Sequence, residues 1–225
     1  PAIDSLSSDQ LWQDCQDTIK RSIGLFEQAG YDLEIEDYHF TILFGNPEKP
    51  MLQLNKGYSG DGGIPGYLML SLLPNDYTLP RVQAALAHEC NHNVRFQFIK
   101  WNQQTTLADW VVSEGLAESF AAELYGKDLI GPWVTSTSPE QLEKIKPIIS
   151  SQLQLTGMAE MAPYLYGDEI AKIQGQIPVG MPYAAGYAYG YHLIQAYLER
   201  TGKSIIEATV TPTEEILEAT KDFWK

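Results

Sequence analysis

Apolar positions along the chain recur at two spacings, and each spacing predicts an element. Between residues 7 and 28, Trp12, Cys15, Ile19, Ile23 and Phe26 return every three or four positions, the period of an amphipathic helix. Ser7 and Gln10 have capping-box spacing at its start, and Ala29-Gly30 ends it. Tyr38-His39-Phe40-Thr41-Ile42-Leu43-Phe44-Gly45 predicts a strand, with His39 read as a structural or surface residue. Residues 46–66 are rich in Gly, Pro and Asn and predict a loop. The Gly60-Asp61-Gly62-Gly63 cluster there reads as a flexible turn, since no strand–loop–helix context makes it a phosphate loop. Tyr67-Leu68-Met69-Leu70-Ser71-Leu72-Leu73 predicts a second strand.

The helical period then dominates. Thr78-Leu79-Pro80 offers a start, because proline is tolerated in a first turn. Good helix formers at 84–87 and an irregular apolar pattern through Val82, Leu86, Val94, Phe96, Phe98 and Ile99 predict a helix over roughly 79–100. After the polar break Asn102-Gln103-Gln104-Thr105, a second helix is expected over about 106–125. Its apolar face is Leu107, Trp110, Val111, Ala117, Phe120, Ala121 and Leu124. Glycine and proline interrupt 126–137. Residues 139–154 predict a helix that Pro147 should kink or split, and 158–173 a further helical region. Residues 174–182 read as loop and 183–200 as helix. In that last helix Tyr183, Tyr187 and Tyr191 would share a face, and Ala184, Ala185, Gly186, Ala188 and Gly190 would allow close packing. A turn at Thr201-Gly202 and a short helix over about 213–219 close the chain.

Composition narrows the class. A length of 225 residues suits one domain, expected as two lobes: 1–125 with the sheet and a helical hairpin, and 126–225 helical. A net charge of −14 argues against nucleic acid as a partner, since phosphate contacts need a basic surface, and against docking on anionic membranes. Cys15 and Cys90 are too few to suggest a disulfide framework. No apolar run approaches a membrane span. A cytoplasmic location is expected, with a leader or anchor trimmed ahead of Pro1 as the alternative.

Within the helix over 79–100, Ala87-His88-Glu89-Cys90-Asn91-His92 reads H-E-x-x-H. Residues four apart lie one above the other on a helix, so His88 and His92 aim two imidazoles at one point. Glu89 sits where its carboxylate can reach a water held there, which is the donor pattern of a zinc hydrolase. Cys90 faces away from both. Glu114 falls in the middle of the apolar face of the next helix and Glu118 at its border, and a carboxylate there is costly unless paired or bound to metal. His92 lies about eight residues before its helix ends, roughly 12 Å, and Glu114 about eight residues into the next. An antiparallel hairpin therefore brings Glu114 level with His92 and Glu118 level with His88. Glu114 is the expected third zinc ligand. Glu118 is expected to accept the second ring N–H of a ligand histidine.

H-E-x-x-H followed by a helical glutamate about twenty residues later resembles the gluzincin metallopeptidases, the group of thermolysin and the zinc aminopeptidases. Ser113-Glu114-Gly115-Leu116-Ala117-Glu118 is similar to their N-E-G-x-A stretch, whose glutamate binds zinc. Together with Gly186-Tyr187-x-x-Gly190-Tyr191 and Thr201-Gly202-Lys203-Ser204-Ile205, these motifs resemble the bacterial YjaZ-like family of predicted zinc-dependent proteases over roughly residues 66–220. The aminopeptidase G-x-M-E-N stretch is absent, which argues against N-terminal exopeptidase specificity and leaves endo- against exopeptidase action open. The resemblance implies a zincin-like α+β fold, mostly helical, with a small N-terminal sheet packed on the H-E-x-x-H helix. It also implies that the strand over 67–73 forms a sheet edge to which an extended peptide can add, although a plain buried strand fits the same residues.

The expected activity is that of a zinc metallopeptidase acting on peptides or proteins. Zinc on His88, His92 and Glu114 would hold a water of pKa about 7. Glu89 would take its proton and deliver it to the leaving amine. The oxyanion needs a donor, and related peptidases place Tyr or His there. Tyr187 matches the family Gly-Tyr, with Tyr191 and His192 as alternatives. Two other readings use the same residues: a zinc-binding structural or interaction protein, and a zinc hydrolase of a non-peptide bond. Oligomeric state is left open by the sequence.

Overall fold

A computed structural model describes residues 2–224. The chain is mostly helical with one small three-stranded sheet among the described residues, an α+β architecture. The longer elements are α1 (Asp9–Gln28), β1 (His39–Phe44), β2 (Tyr58–Ile64), β3 (Tyr67–Leu72), α2 (Val82–Phe98), α3 (Leu107–Tyr125), α4 (Pro139–Ser150), α5 (Met158–Tyr166) and α6 (Ala185–Thr201). The backbone divides into two compact units. One holds the residues through Ile99 with Phe120–Ile130, and the other holds Lys100–Ser119 with the residues from Gly131 onward.

In the first unit α1 packs against α2, burying Cys15, Thr18, Ile19, Ser22, Ile23 and Phe26 as its period predicts. Phe26 meets Phe120 with ring centroids 5.6 Å apart. The helix stops at a Schellman motif. Gly30, at φ +87°, donates to Glu27 O and Tyr31 donates to Phe26 O. Its start differs from expectation. Ala2–Leu6 is a separate short helix, α1 begins at Asp9, and the N-cap residue Ser8 makes no side-chain cap bond.

The sheet order is β1-β3-β2, with β1 parallel and β2 antiparallel to β3. β3 is therefore the middle strand, paired on both sides, and not the expected edge. Its alternate residues Leu68, Leu70 and Leu72 are buried while Tyr67 and Met69 are exposed. The expected loop over 46–66 contains a short helix, Pro50–Leu54, and the edge strand β2. The sequence Tyr-Ser-Gly-Asp-Gly-Gly-Ile hides a strand because glycine carries no β propensity. What it carries instead is clearance for α2, against which β2 packs.

α2 follows a 3-10 turn at Leu79–Arg81. It is buried on nearly every side, including its polar residues Asn91, Asn93 and Arg95, so no single apolar stripe marks it in the sequence. α3 starts behind Thr106. The Thr106 hydroxyl accepts from Asp109 N–H, and the Asp109 carboxylate accepts from Thr106 N–H, a reciprocal cap.

In the second unit α6 is the central helix, packed against α4, α5 and the short helices Pro132–Thr135, Thr213–Ala219 and Lys221–Trp224. Its small residues allow backbone contact with α3. A Cβ at Gly190 would stand 2.0 Å from Val111 O, and one at Gly115 would stand 2.2 Å from Gly190 O. α4 opens on a capping box between Ser138 and Gln141 and runs through Pro147 without splitting. The region over 158–173 is two helices broken at Gly167, whose φ of +91° an L-residue adopts only with strain. The expected loop over 174–182 is pinned: the Asp168 carboxylate accepts from Val179, Gly180 and Met181 N–H. Ile205–Val210, capped by Ser204 and Glu207, is a helix the apolar pattern alone does not mark. Among the described residues, no helix is long and apolar enough to cross a membrane.

Candidate metal centre

α2 carries His88 and His92 one turn apart, and both rings are buried. Their Nε2 atoms stand 3.1 Å apart, so both imidazoles present the same nitrogen to one point. His92 is braced from behind by Phe96, its ring stacked at 5.7 Å and 11°. Glu114 on α3 is also buried, and its Oε1 accepts the Trp110 indole N–H at 3.2 Å. One ligand atom each from His88, His92 and Glu114 lies within 4.8 Å of the others. Two nitrogens held at zinc distance in a tetrahedral site are separated by about 3.3 Å. The spacing of the two Nε2 atoms and the N,N,O donor set therefore fit zinc.

Glu89 is buried against β2. A Cβ at Gly60 would lie 2.1 Å from Glu89 Oε1, and one at Gly62 would lie 2.2 Å from the Glu89 carbonyl oxygen. The two glycines are thus the clearance that lets an edge strand lie flush on the carboxylate. Asn93, fully buried and next to His92, fastens that strand. Its amide oxygen accepts from Gly66 N–H at 2.7 Å. Its amide nitrogen donates to Gly62 O, Ile64 O and Tyr67 O at 2.9–3.0 Å. The hairpin β2–β3 is thereby tied to the helix of the two histidines through a single side chain.

Glu118, one turn beyond Glu114, accepts from Gly131 N–H at 2.6 Å and from the Trp133 indole N–H at 2.7 Å. These charge-assisted bonds dock the turn at 131–135 on α3. The tyrosines sort themselves by position. Tyr183 precedes α6, whose N-cap residue Ala184 is left-handed at φ 53°, so the expected three-tyrosine face reduces to Tyr187 and Tyr191. Tyr187 is half-buried between Trp133 and Tyr166, with ring centroids 6.3 and 6.1 Å away. Tyr191 is buried, and burial together with the Glu118 charge raises its pKa, so it keeps its proton as a donor. His192 is pushed down by burial and by Lys146, which favours its neutral form.

Sequence reasoning named the histidines and glutamates but missed Gly60, Gly62, Asn93, Trp110 and Trp133. A signal existed for one of them: Trp110 stands four residues before Glu114, the helical spacing at which an indole N–H can reach a carboxylate.

Two imidazoles and a carboxylate that can present one ligand atom each to a single point fit a metal site. The chain belongs to the DUF2268 family, described as a predicted Zn-dependent protease, whose pattern matches residues 11–218. It is similar to the uncharacterized protein YjfC of Bacillus subtilis (strain 168), at 38% identity over 92% of this chain and 69% of that protein. It is also similar to the uncharacterized protein YjaZ of the same organism, at 27% identity over 67% of this chain and 55% of that protein. This chain spans little more than half of the latter's length. No solved structure gives a significant match.

Proposed function

We propose that the protein is a zinc-dependent peptidase of the zincin-like type, with His88, His92 and Glu114 as the metal ligands and Glu89 as the general base. The observation that carries this reading is the convergence of those three donor atoms, with the buried Glu89 next to His88 in the sequence. Zinc bound there supplies Lewis acidity and lowers the pKa of water to about 7. Glu89 takes the proton of the attacking water and returns it to the leaving amine. Tyr187, in its half-buried position, donates to the developing oxyanion, with Tyr191 and His192 as the alternative donors. β2 has one side outside the β1-β3-β2 pairing, and an extended peptide segment adds there, next to Glu89. Glu118 accepts the second ring N–H of a ligand histidine.

The test is zinc content per chain, measured by elemental analysis, for wild type, Glu114→Ala and Glu89→Gln, alongside cleavage of a mixed peptide library. About one zinc is expected in the wild type, with a sharp loss in Glu114→Ala. Glu89→Gln is expected to keep its zinc and lose turnover. Zinc binding without any cleavage would leave a structural metal site, and wild-type turnover in Glu89→Gln would remove the assigned base.

A further inference from the structure

Both glutamates on the inner face of α3 receive an indole N–H. Trp110 donates to Glu114 at 3.2 Å and Trp133 donates to Glu118 at 2.7 Å. The two indoles belong to one line of rings. Trp101 meets Trp110 edge-on at 5.6 Å, Trp110 meets Tyr166 edge-on at 5.7 Å, and Tyr166 and Tyr187 lead on to Trp133. Trp110 itself is buried, so its ring has one orientation and its N–H one direction.

We infer that Trp110 is a positioning residue for the metal: its indole N–H holds the Glu114 carboxylate in the conformation that binds zinc. This rests on the ligand assignment proposed above. A glutamate has three rotatable torsions, and an unconstrained carboxylate must lose that freedom when it binds an ion. A buried donor one turn back on the same helix restricts those torsions beforehand. The bond runs between residues four apart on one helix, so its geometry follows from the helix itself. The edge-on contacts with Trp101 and Tyr166 keep the indole plane from turning away. Partners of metal ligands typically change metal affinity by about 10- to 100-fold.

The experiment is zinc affinity by competition with a chromophoric chelator, needing no substrate. Trp110→Phe keeps an aromatic ring and loses the N–H, and its zinc dissociation constant should rise by about tenfold or more. Should that variant fold poorly, benzothienylalanine at position 110 preserves the bicyclic shape and replaces the N–H with sulfur. The same loss is expected there, in a zinc-free protein whose far-ultraviolet circular dichroism matches the wild type. In a Glu114→Ala background, removing the N–H should change the residual zinc affinity no further. Wild-type zinc affinity in the benzothienylalanine protein overturns the inference. Failure of the wild type itself to bind zinc overturns the ligand assignment instead, so the two failures are distinct.

Discussion

Gly60 faces Glu89 so closely that a single methyl group on the strand would lie 2.1 Å from the carboxylate oxygen Oε1. Nothing can be added at that position without moving one of the two. Gly60→Ala should therefore retain zinc, because the histidines are untouched, and lose turnover through displacement of Glu89, the proposed base. Misplacing a catalytic group by about 1 Å can cost about 100-fold in rate. Overpacking should also lower stability by about 1–3 kcal/mol. The check is peptide hydrolysis and zinc content side by side, then the same substitution in Glu89→Gln, where it should change turnover no further. Unaltered hydrolysis by Gly60→Ala would mean that the strand does not set the carboxylate's place.

This contact also explains why part of the fold was legible in the sequence and part was not. The helix of His88 and His92 and the return of Glu114 could be read because a candidate metal site dictates residue type and helical period together. β2 could not, because the side chains that would have marked it as a strand are missing for the sake of Glu89. Asn93 carries no periodic signal either: its role depends on the backbone groups of Gly62, Ile64, Gly66 and Tyr67 arriving at one point. At Pro147 local chemistry predicts a kink or a split, and α4 runs through it unsplit, packed against α6. The middle position of β3 is likewise a consequence of the hidden strand beside it.

Asn93 should be among the least replaceable residues that bind no metal. Asn93→Ala strands one buried N–H and releases three carbonyl oxygens at once, at a cost of about 3 kcal/mol. Asn93→Asp should be worse, because it turns the donating nitrogen into an oxygen facing those carbonyls. Urea unfolding of the three proteins orders them. An aspartate variant as stable as the wild type would contradict the direction of these hydrogen bonds, with the side-chain nitrogen toward the three carbonyls.

Gly190 lets α6 and α3 meet backbone to backbone, with a Cβ there only 2.0 Å from Val111 O. The clash is with main chain, which cannot rotate aside. Gly190→Ala should cost about 2 kcal/mol or more in denaturant unfolding despite alanine's higher helix propensity. A gain in stability would show that the two helices have room to part.

Cys15 gives a pH prediction that is independent of the metal. Burial, reinforced by the charge of Asp14, raises its thiol from 9.0 to about 11. In the unfolded chain the thiol loses its proton near pH 9.0, while the folded protein holds it to about 11. Between those values the folded state binds more protons, so stability must fall as pH rises through that window and is at full strength below it. Tyr189, raised by burial to about 12, extends the same trend above its ordinary value of 10.0. Cys15→Ala should flatten the first part of this alkaline loss, seen as a smaller drop in unfolding midpoint from pH 9.0 to about 11. If the slope in that range is unchanged by the substitution, the buried thiol is not what the folded state protects.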